Sequence, residues 1–131
     1  MDWVADVEQF QKRFGFSTPA KPEWPAETTV QVRTALITEE LLELCLALAR
    51  RDLPETADAL ADLIYVLVGT ALSFGIDLRP VWEEVHRSNM AKQGGEVQLN
   101  GKIAKPAGWQ PPDIVGALAR GCLDGRCNDG L

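Results

Sequence analysis

Glu39-Glu40-Leu41-Leu42-Glu43 and, after a break at Asp52-Leu53-Pro54, Glu55-Thr56-Ala57-Asp58-Ala59-Leu60-Ala61-Asp62 put carboxylates where a helical core face calls for leucines. At about 100° per residue, Glu39, Glu40 and Glu43 share one arc of a helix with Val32, Leu36, Leu46 and Ala47. Ile37, Leu41, Leu44 and Leu48 take the opposite face, which leaves Gln31, Thr34 and Thr38 as the polar arc. On the next helix Glu55, Asp58 and Asp62 fall within about 60° of one another, on a stripe continued by Tyr65, Val66 and Gly69. Leu60, Leu63, Ile64 and Leu67 form the other side and are expected in the core. Helices apolar nearly all round belong in the middle of a bundle. The short link at Asp52-Leu53 makes the two antiparallel neighbours, so the acidic patches can face each other across one seam.

Outward from this pair, Trp3, Val4, Val7, Phe10 and Phe14 recur at helical spacing and predict a first helix from about Asp2 to Phe14, stopped by Gly15. Pro19, Pro22 and Pro25 mark an irregular connector with Trp24 as its large apolar residue. The acid-bearing helices are predicted from about Thr28 to Arg51 and from about Pro54 to Phe74. Asp77 suits the N-cap of a fourth helix, about Leu78 to Ala91. Val97-Gln98-Leu99-Asn100-Gly101-Lys102-Ile103 alternates about Asn-Gly, a hairpin signal. The stretch from Lys105 to Ile114 is too rich in Pro and Gly for regular structure, and a short helix is predicted over Pro112 to Arg120. The expected fold is all-α: an antiparallel bundle of about four main helices with a small C-terminal hairpin or extended appendage. A single domain is expected over residues 1–120, with a disordered tail over 121–131.

Apolar residues make up 46% of the 131-residue chain, which argues for a folded protein. A helical chain of this size often completes its core by oligomerising, so a dimer or tetramer is expected. The formal net charge of −6 disfavours stable binding of nucleic acid, though not of a small anion, because a bound cation can invert the local sign. No uninterrupted apolar run predicts a membrane span, and the N-terminus lacks a secretory pattern. Cys45, Cys122 and Cys127 are an odd, sparse set that fits a reducing cytoplasm. Cys45 is expected as a small core residue, and a zinc site at Cys122 and Cys127 lacks ligands.

A Glu-Glu-x-x-Glu run by itself is usually a solvated helix face. Two acidic patches on adjoining helices, each inside an apolar stripe, must bind cations, hold protons or stay wet. Carboxylates without thiolate or imidazole partners favour Mg²⁺, with Mn²⁺ as a substitute. A di-iron bundle would want Glu-x-x-His pairs, and the chain has a single histidine, His86. Mg²⁺ on carboxylates commonly meets phosphate, so the expected chemistry is phosphoryl or nucleotidyl transfer to water. Phosphate also needs positive groups. Asn89 and Lys92 are the first candidates to hold sugar and phosphate, and Lys102 and Lys105 the second. Gln9, Phe10 and Trp24 are candidates to select the base.

With these motifs in view, the chain resembles the all-α nucleoside triphosphate pyrophosphatase superfamily, in its MazG-like, phosphoribosyl-ATP-pyrophosphatase-like branch. The likeness rests on Glu39-Glu40-x-x-Glu43, the Asp62-Leu63-Ile64-Tyr65 helix, the His86 to Lys92 stretch, and Lys105-Pro106-x-Gly108-Trp109-x-Pro111-Pro112-Asp113-Ile114. It implies a helical bundle, at least dimeric, that binds Mg²⁺ through the acidic motif. It also implies cleavage between the α and β phosphates to a monophosphate and pyrophosphate, here as an enzyme clearing free (d)NTPs. Phosphoribosyl-ATP hydrolysis, or a non-catalytic nucleotide-binding or partner-binding dimer, are the alternatives. On this reading Glu39, Glu40, Glu43, Glu55, Asp58 and Asp62 are metal-ligand candidates, and Glu40 or Glu43 orients or deprotonates the attacking water. The second half of the motif is either Glu55 with Asp58 or Asp58 with Asp62, since the position three before Asp62 is Ala59.

Overall fold

A computed structural model describes residues 1–121, all in helices, turns and loops, with no strand among them. Helices α1 (Trp3–Arg13), α2 (Glu27–Arg50), α3 (Leu53–Ser73), α4 (Leu78–Met90) and α5 (Ile114–Arg120) follow in chain order. The expected helix ends hold to within a residue or two because the local chemistry fixes them. Asp2 caps α1 by accepting a hydrogen bond from the Ala5 amide at 3.1 Å. Asp52 caps α3 in the same way, accepting from the Glu55 amide at 3.1 Å, with Pro54 in the first turn. Between them Arg51 closes α2 in the left-handed conformation at φ 56°, which turns the chain back at once.

The described chain divides into two compact units, residues 1–77 and 78–121. In the first, α2 runs along α3 and α1 packs on α3. Val4, Val7, Ala47, Ala59, Val68, Ala71 and the fully buried Leu72 form its core. Ala47 on α2 and Ala59 on α3 are buried small residues. Phe10 stands edge-on to Tyr65 at 5.5 Å and tilts against Phe14 at 4.7 Å, which seats α1 on α3.

One expectation needs correction. Leu60, Ile64 and Leu67, together with Cys45, are exposed rather than in the core, and Leu41 and Leu48 on the other helix are exposed as well. Among the described residues, α2 and α3 are covered chiefly along their shared seam and along the side of α3 that meets α1. The proline connector, in turn, is fixed to the end of α3. The Glu23 amide donates to the Phe74 carbonyl at 2.9 Å, and Trp24 packs edge-on against Phe74 at 5.1 Å. Gly75 permits this, with φ 68° and the Lys21 carbonyl lying where a β-carbon would project.

In the second unit α5 packs on α4 with Ala117 fully buried. The predicted hairpin shrinks to one antiparallel bridge, Val97 to Ile103. The reversal itself is present: Gly101 takes φ 80°, and the Gln98 amide donates to the Lys102 carbonyl at 2.7 Å. The Pro- and Gly-rich segment is ordered by α4. The Trp109 indole donates to the Ser88 carbonyl at 2.7 Å, and the Asp113 amide donates to Glu84 Oε1 at 2.9 Å. Gly121, the first residue of the expected tail, is buried and ends α5. The rest of that tail, with Cys122 and Cys127, lies outside the described residues.

Among the described residues, α3 alone is long and apolar enough, by length and composition, to cross a membrane. Its first half carries Glu55, Asp58 and Asp62, and it packs on both α1 and α2, as the central helix of a bundle does.

Candidate active site

The acids of α2 and α3 meet along their seam. Glu40 is half-buried, and its Oε2 is shut off from solvent with no hydrogen-bond donor among the described residues. Desolvation, followed by the charges of Glu43, Asp62, Glu39 and Asp58, raises its pKa above the ordinary 4.5. A carboxylate oxygen without a donor, facing four like charges from two helices, is a position that a cation relieves. Glu39, Glu43, Asp58 and Asp62 are themselves exposed, as is Glu55. Toward the α2–α3 turn, Glu43, Glu55 and Asp58 line a groove of about 300 Å³ with Leu46, Ala47, Arg50, Asp52 and Ala59. Asp58 therefore serves both groupings: it acts on Glu40 alongside Asp62, and it lines the groove alongside Glu55.

No three His, Cys, Asp or Glu side chains among the described residues stand close enough to enclose one ion as they are placed. Mg²⁺ does not need such a cage, because it is commonly held by one or two carboxylates, with waters and substrate phosphates completing its octahedron. The oxygen-only donor set and the unpaired Glu40 Oε2 fit that kind of site.

Two residues not picked out from the sequence flank the acids, Arg33 on their own stripe of α2 and Gln11 on α1. Arg33 lies two helical turns before Glu40 on the same face of α2. Its Nη2 donates to the Val66 carbonyl at 2.9 Å and its Nε to Thr70 Oγ1 at 3.1 Å. Burial lowers its pKa from the ordinary arginine value. Gln11 is only 2% exposed and donates from Nε2 to the Gly69 carbonyl at 2.8 Å. Gly69 makes room for both, since a β-carbon there would stand 2.6 Å from Arg33 Nη2 and 3.0 Å from Gln11 Nε2. The seven-residue spacing from Arg33 to Glu40 was a readable signal. Gln11 gave none, being one polar residue in a polar stretch.

The expected base-selecting residues are not gathered with the acids. Gln9 and Trp24 are exposed, and neither lines this groove nor the apolar one beside it, which is formed by Trp3, Asp6, Val7, Ala61, Ile64, Tyr65 and Val68. Phe10 is taken up by its contacts with Tyr65, Phe14 and Phe16.

The expected basic residues lie in the second unit. Asn89 Oδ1 accepts from Lys92 Nζ at 2.8 Å, and the ammonium groups of Lys92 and Lys105 stand 5.5 and 4.8 Å from the centre of the Trp109 ring. Lys102 is exposed and enters the turn only through its backbone. On α4, Arg87 and Asp113 hold the Glu84 carboxyl down at about 2, through the Arg87 side chain at 2.7 Å first and the Asp113 amide second.

Residues 7–89 match the phosphoribosyl-ATP pyrophosphohydrolase family. The chain belongs to that family. Phosphoribosyl-ATP pyrophosphohydrolases are hydrolases of phosphoric anhydrides within the MazG-like all-α superfamily, so the resemblance read from the motifs holds. The match takes in α1 from Val7, all of α2 and α3, and α4 as far as Asn89, and with them every acid of the seam. It ends before Lys92, Lys102, Lys105 and Trp109. Comparison with curated proteins gives no match.

Proposed function

We propose that this pyrophosphohydrolase cleaves a nucleoside triphosphate between its α and β phosphates, with Mg²⁺ or Mn²⁺, and acts on free (d)NTPs. The observation that carries the reading is the buried, donorless Glu40 Oε2 among carboxylates from two helices. From among Glu39, Glu40, Glu43 and Asp58, with Glu55 or Asp62, would come the one or two carboxylates that hold the metal, with waters and substrate phosphates completing its shell. When bound, the ion supplies the charge neutralisation that an α-phosphate under attack requires. Glu40 or Glu43 orients the attacking water and takes its proton. Arg33 and Gln11 fix the α2 and α1 side chains to the α3 backbone, which keeps the seam from shifting. Asn89 and Lys92, with Lys102 and Lys105 behind them, bind sugar and phosphate.

The open apolar faces of α2 and α3 are covered, on this reading, by further copies of the chain in a homodimer or homotetramer, located in the cytoplasm. Sedimentation of the full chain checks the assembly.

A second reading, phosphoribosyl-ATP as substrate, is favoured by the description of the matched family. Both substrates present the same triphosphate chain. A panel of (d)NTPs, nucleoside diphosphates and phosphoribosyl-ATP, with Mg²⁺ or Mn²⁺ and scored for pyrophosphate against orthophosphate, separates them. Pyrophosphate from one or more triphosphates supports the proposal. Release from phosphoribosyl-ATP alone selects the second reading, and metal binding without product from any of them leaves a non-catalytic binder.

A further inference from the structure

We propose that Trp109 is a positioning residue that gathers Lys92 and Lys105 into a two-cation site for a phosphoanhydride. The inference deepens the proposed function, because it assigns the phosphate grip to a definite group of side chains, and it lies outside the span of the family match.

The indole is fixed before the lysines reach it. Its Nε1 donates at 2.7 Å to the carbonyl of Ser88, a residue only 3% exposed in the last turns of α4. The Trp109 amide donates to the Pro106 carbonyl at 3.1 Å, and Gly108 turns the chain at φ 77°. Onto this ring come two ammonium groups from different segments. Lys92 follows the end of α4 and stands 5.5 Å from the ring centre; Lys105 precedes the turn and stands 4.8 Å from it. They are therefore separated by no more than those two distances end to end. The ring quadrupole draws both ammonium groups, and any repulsion between them is screened at an exposed site. Neither lysine has a carboxylate within ion-pair distance among the described residues, and Lys92's partner is the neutral Asn89. In a chain of net charge −6, two lysines placed on one aromatic ring with no counterion are an arrangement that a polyanion completes.

The shared chemistry of that polyanion is the phosphoanhydride. It is either the polyphosphate chain of the uncleaved substrate or the pyrophosphate released from it, and one ring with two flanking cations can meet charge spread over adjacent phosphoryl groups. Trp109 acts through the lysines and need not touch the reacting atoms.

Titration calorimetry on the full chain tests this with two probes, inorganic pyrophosphate and a non-hydrolysable α,β-methylene nucleoside triphosphate. Lys105→Met and Trp109→Leu should each weaken binding by about tenfold or more, and the loss should shrink as salt is raised. Weakening toward pyrophosphate identifies a product site. Weakening toward the analogue alone identifies a substrate site. Unchanged affinity for both in Lys105→Met, whose side chain is exposed and whose fold circular dichroism can verify, overturns the proposal. Trp109→Phe separates positioning from scaffolding: it keeps the ring face and loses the bond to Ser88. Affinity and KM for Trp109→Phe should fall between those of the parent and Trp109→Leu, because the ring still draws the lysines but is no longer fixed by Ser88; a Leu variant no weaker than the parent overturns the positioning role. A chain that binds pyrophosphate through these residues but hydrolyses nothing leaves the clamp standing and removes the hydrolase reading. Turnover with KM unaffected by these variants does the reverse.

Discussion

Residues 1–77 carry thirteen acidic against six basic side chains, and residues 78–121 carry six basic against four acidic. The two units also cohere differently. The first is held by packing of helices around the buried Ala47, Ala59, Gly69 and Ala71, and its acids crowd at the price of an unpaired Glu40 oxygen. The second has little core beyond Ala117, and charged and aromatic side chains on α4 tie down an irregular segment. Repulsion between carboxylates is left standing in the first unit; in the second the Glu84 carboxyl is matched, while Lys92 and Lys105 share one ring without a counterion. On the proposed function, unrelieved charge is where an external ion acts and matched charge is scaffolding.

The sharpest way to break that contrast is Glu40→Gln. Replacing the carboxylate with a neutral amide should lower metal-dependent pyrophosphate release by about 10²-fold or more. The same change should raise the melting temperature of the metal-free chain at neutral pH. A carboxyl whose folded pKa is raised above 4.5 loses stability as pH rises through that folded value, and the amide removes the charge responsible. Mg²⁺ should stabilise the parent and not the variant. A variant that is both inactive and less stable than the parent would place Glu40 in the framework instead of at the metal.

Next in size is Gly75→Ala. A left-handed φ combined with the Lys21 carbonyl in the path of the new methyl should cost about 2 kcal/mol or more. Thermal unfolding should show a drop of several degrees, together with release of the connector from Phe74. An unchanged melting curve would mean that the first unit does not depend on close backbone approach.

This position also shows where reading the sequence reached its limit. Gly75 was legible as a helix stop, because a glycine after an apolar periodic run has that local meaning. Its contact with Lys21 depends on the fold and leaves no local trace. Helix ends were readable for the same reason: Asp2 and Asp52 cap through bonds three residues away. The acidic seam could be drawn from period and link length alone. Burial was not so legible. Leu41, Leu60 and Leu67 have the pattern of core residues, and one chain leaves them uncovered. The apparent hairpin at Asn100-Gly101 kept its turn and lost its strands, since one bridging pair does not make a ladder. Lys92 and Lys105 were found as isolated charges, and only the structure shows that they share the Trp109 ring.

The smallest effect is also the one that sets the two units against each other directly. Glu84 is held at about 2 by Arg87 and the Asp113 amide, so its contribution is fully present above its ordinary 4.5 and is lost as pH falls from there toward 2. Glu40 has the opposite sign, and protonating it relieves the seam. Mild acid should therefore leave the first unit as stable or more so, while the stability that Glu84 lends the second unit falls, and the Asp113 end of the irregular segment loosens from α4 only as pH nears about 2. The indole N–H resonance of Trp109, followed by NMR from neutral pH downward in the folded chain, should stay in place until pH approaches about 2, where Glu84 takes up its proton, and then shift. Glu84→Gln should bring a modest version of that shift to neutral pH, because an amide still accepts a hydrogen bond from the Asp113 amide but no longer pairs with Arg87 as a charge. An indole resonance indifferent to both acid and Glu84→Gln would show that the bond to Ser88 holds Trp109 unaided, and the ion pair would then have no part in placing the two lysines.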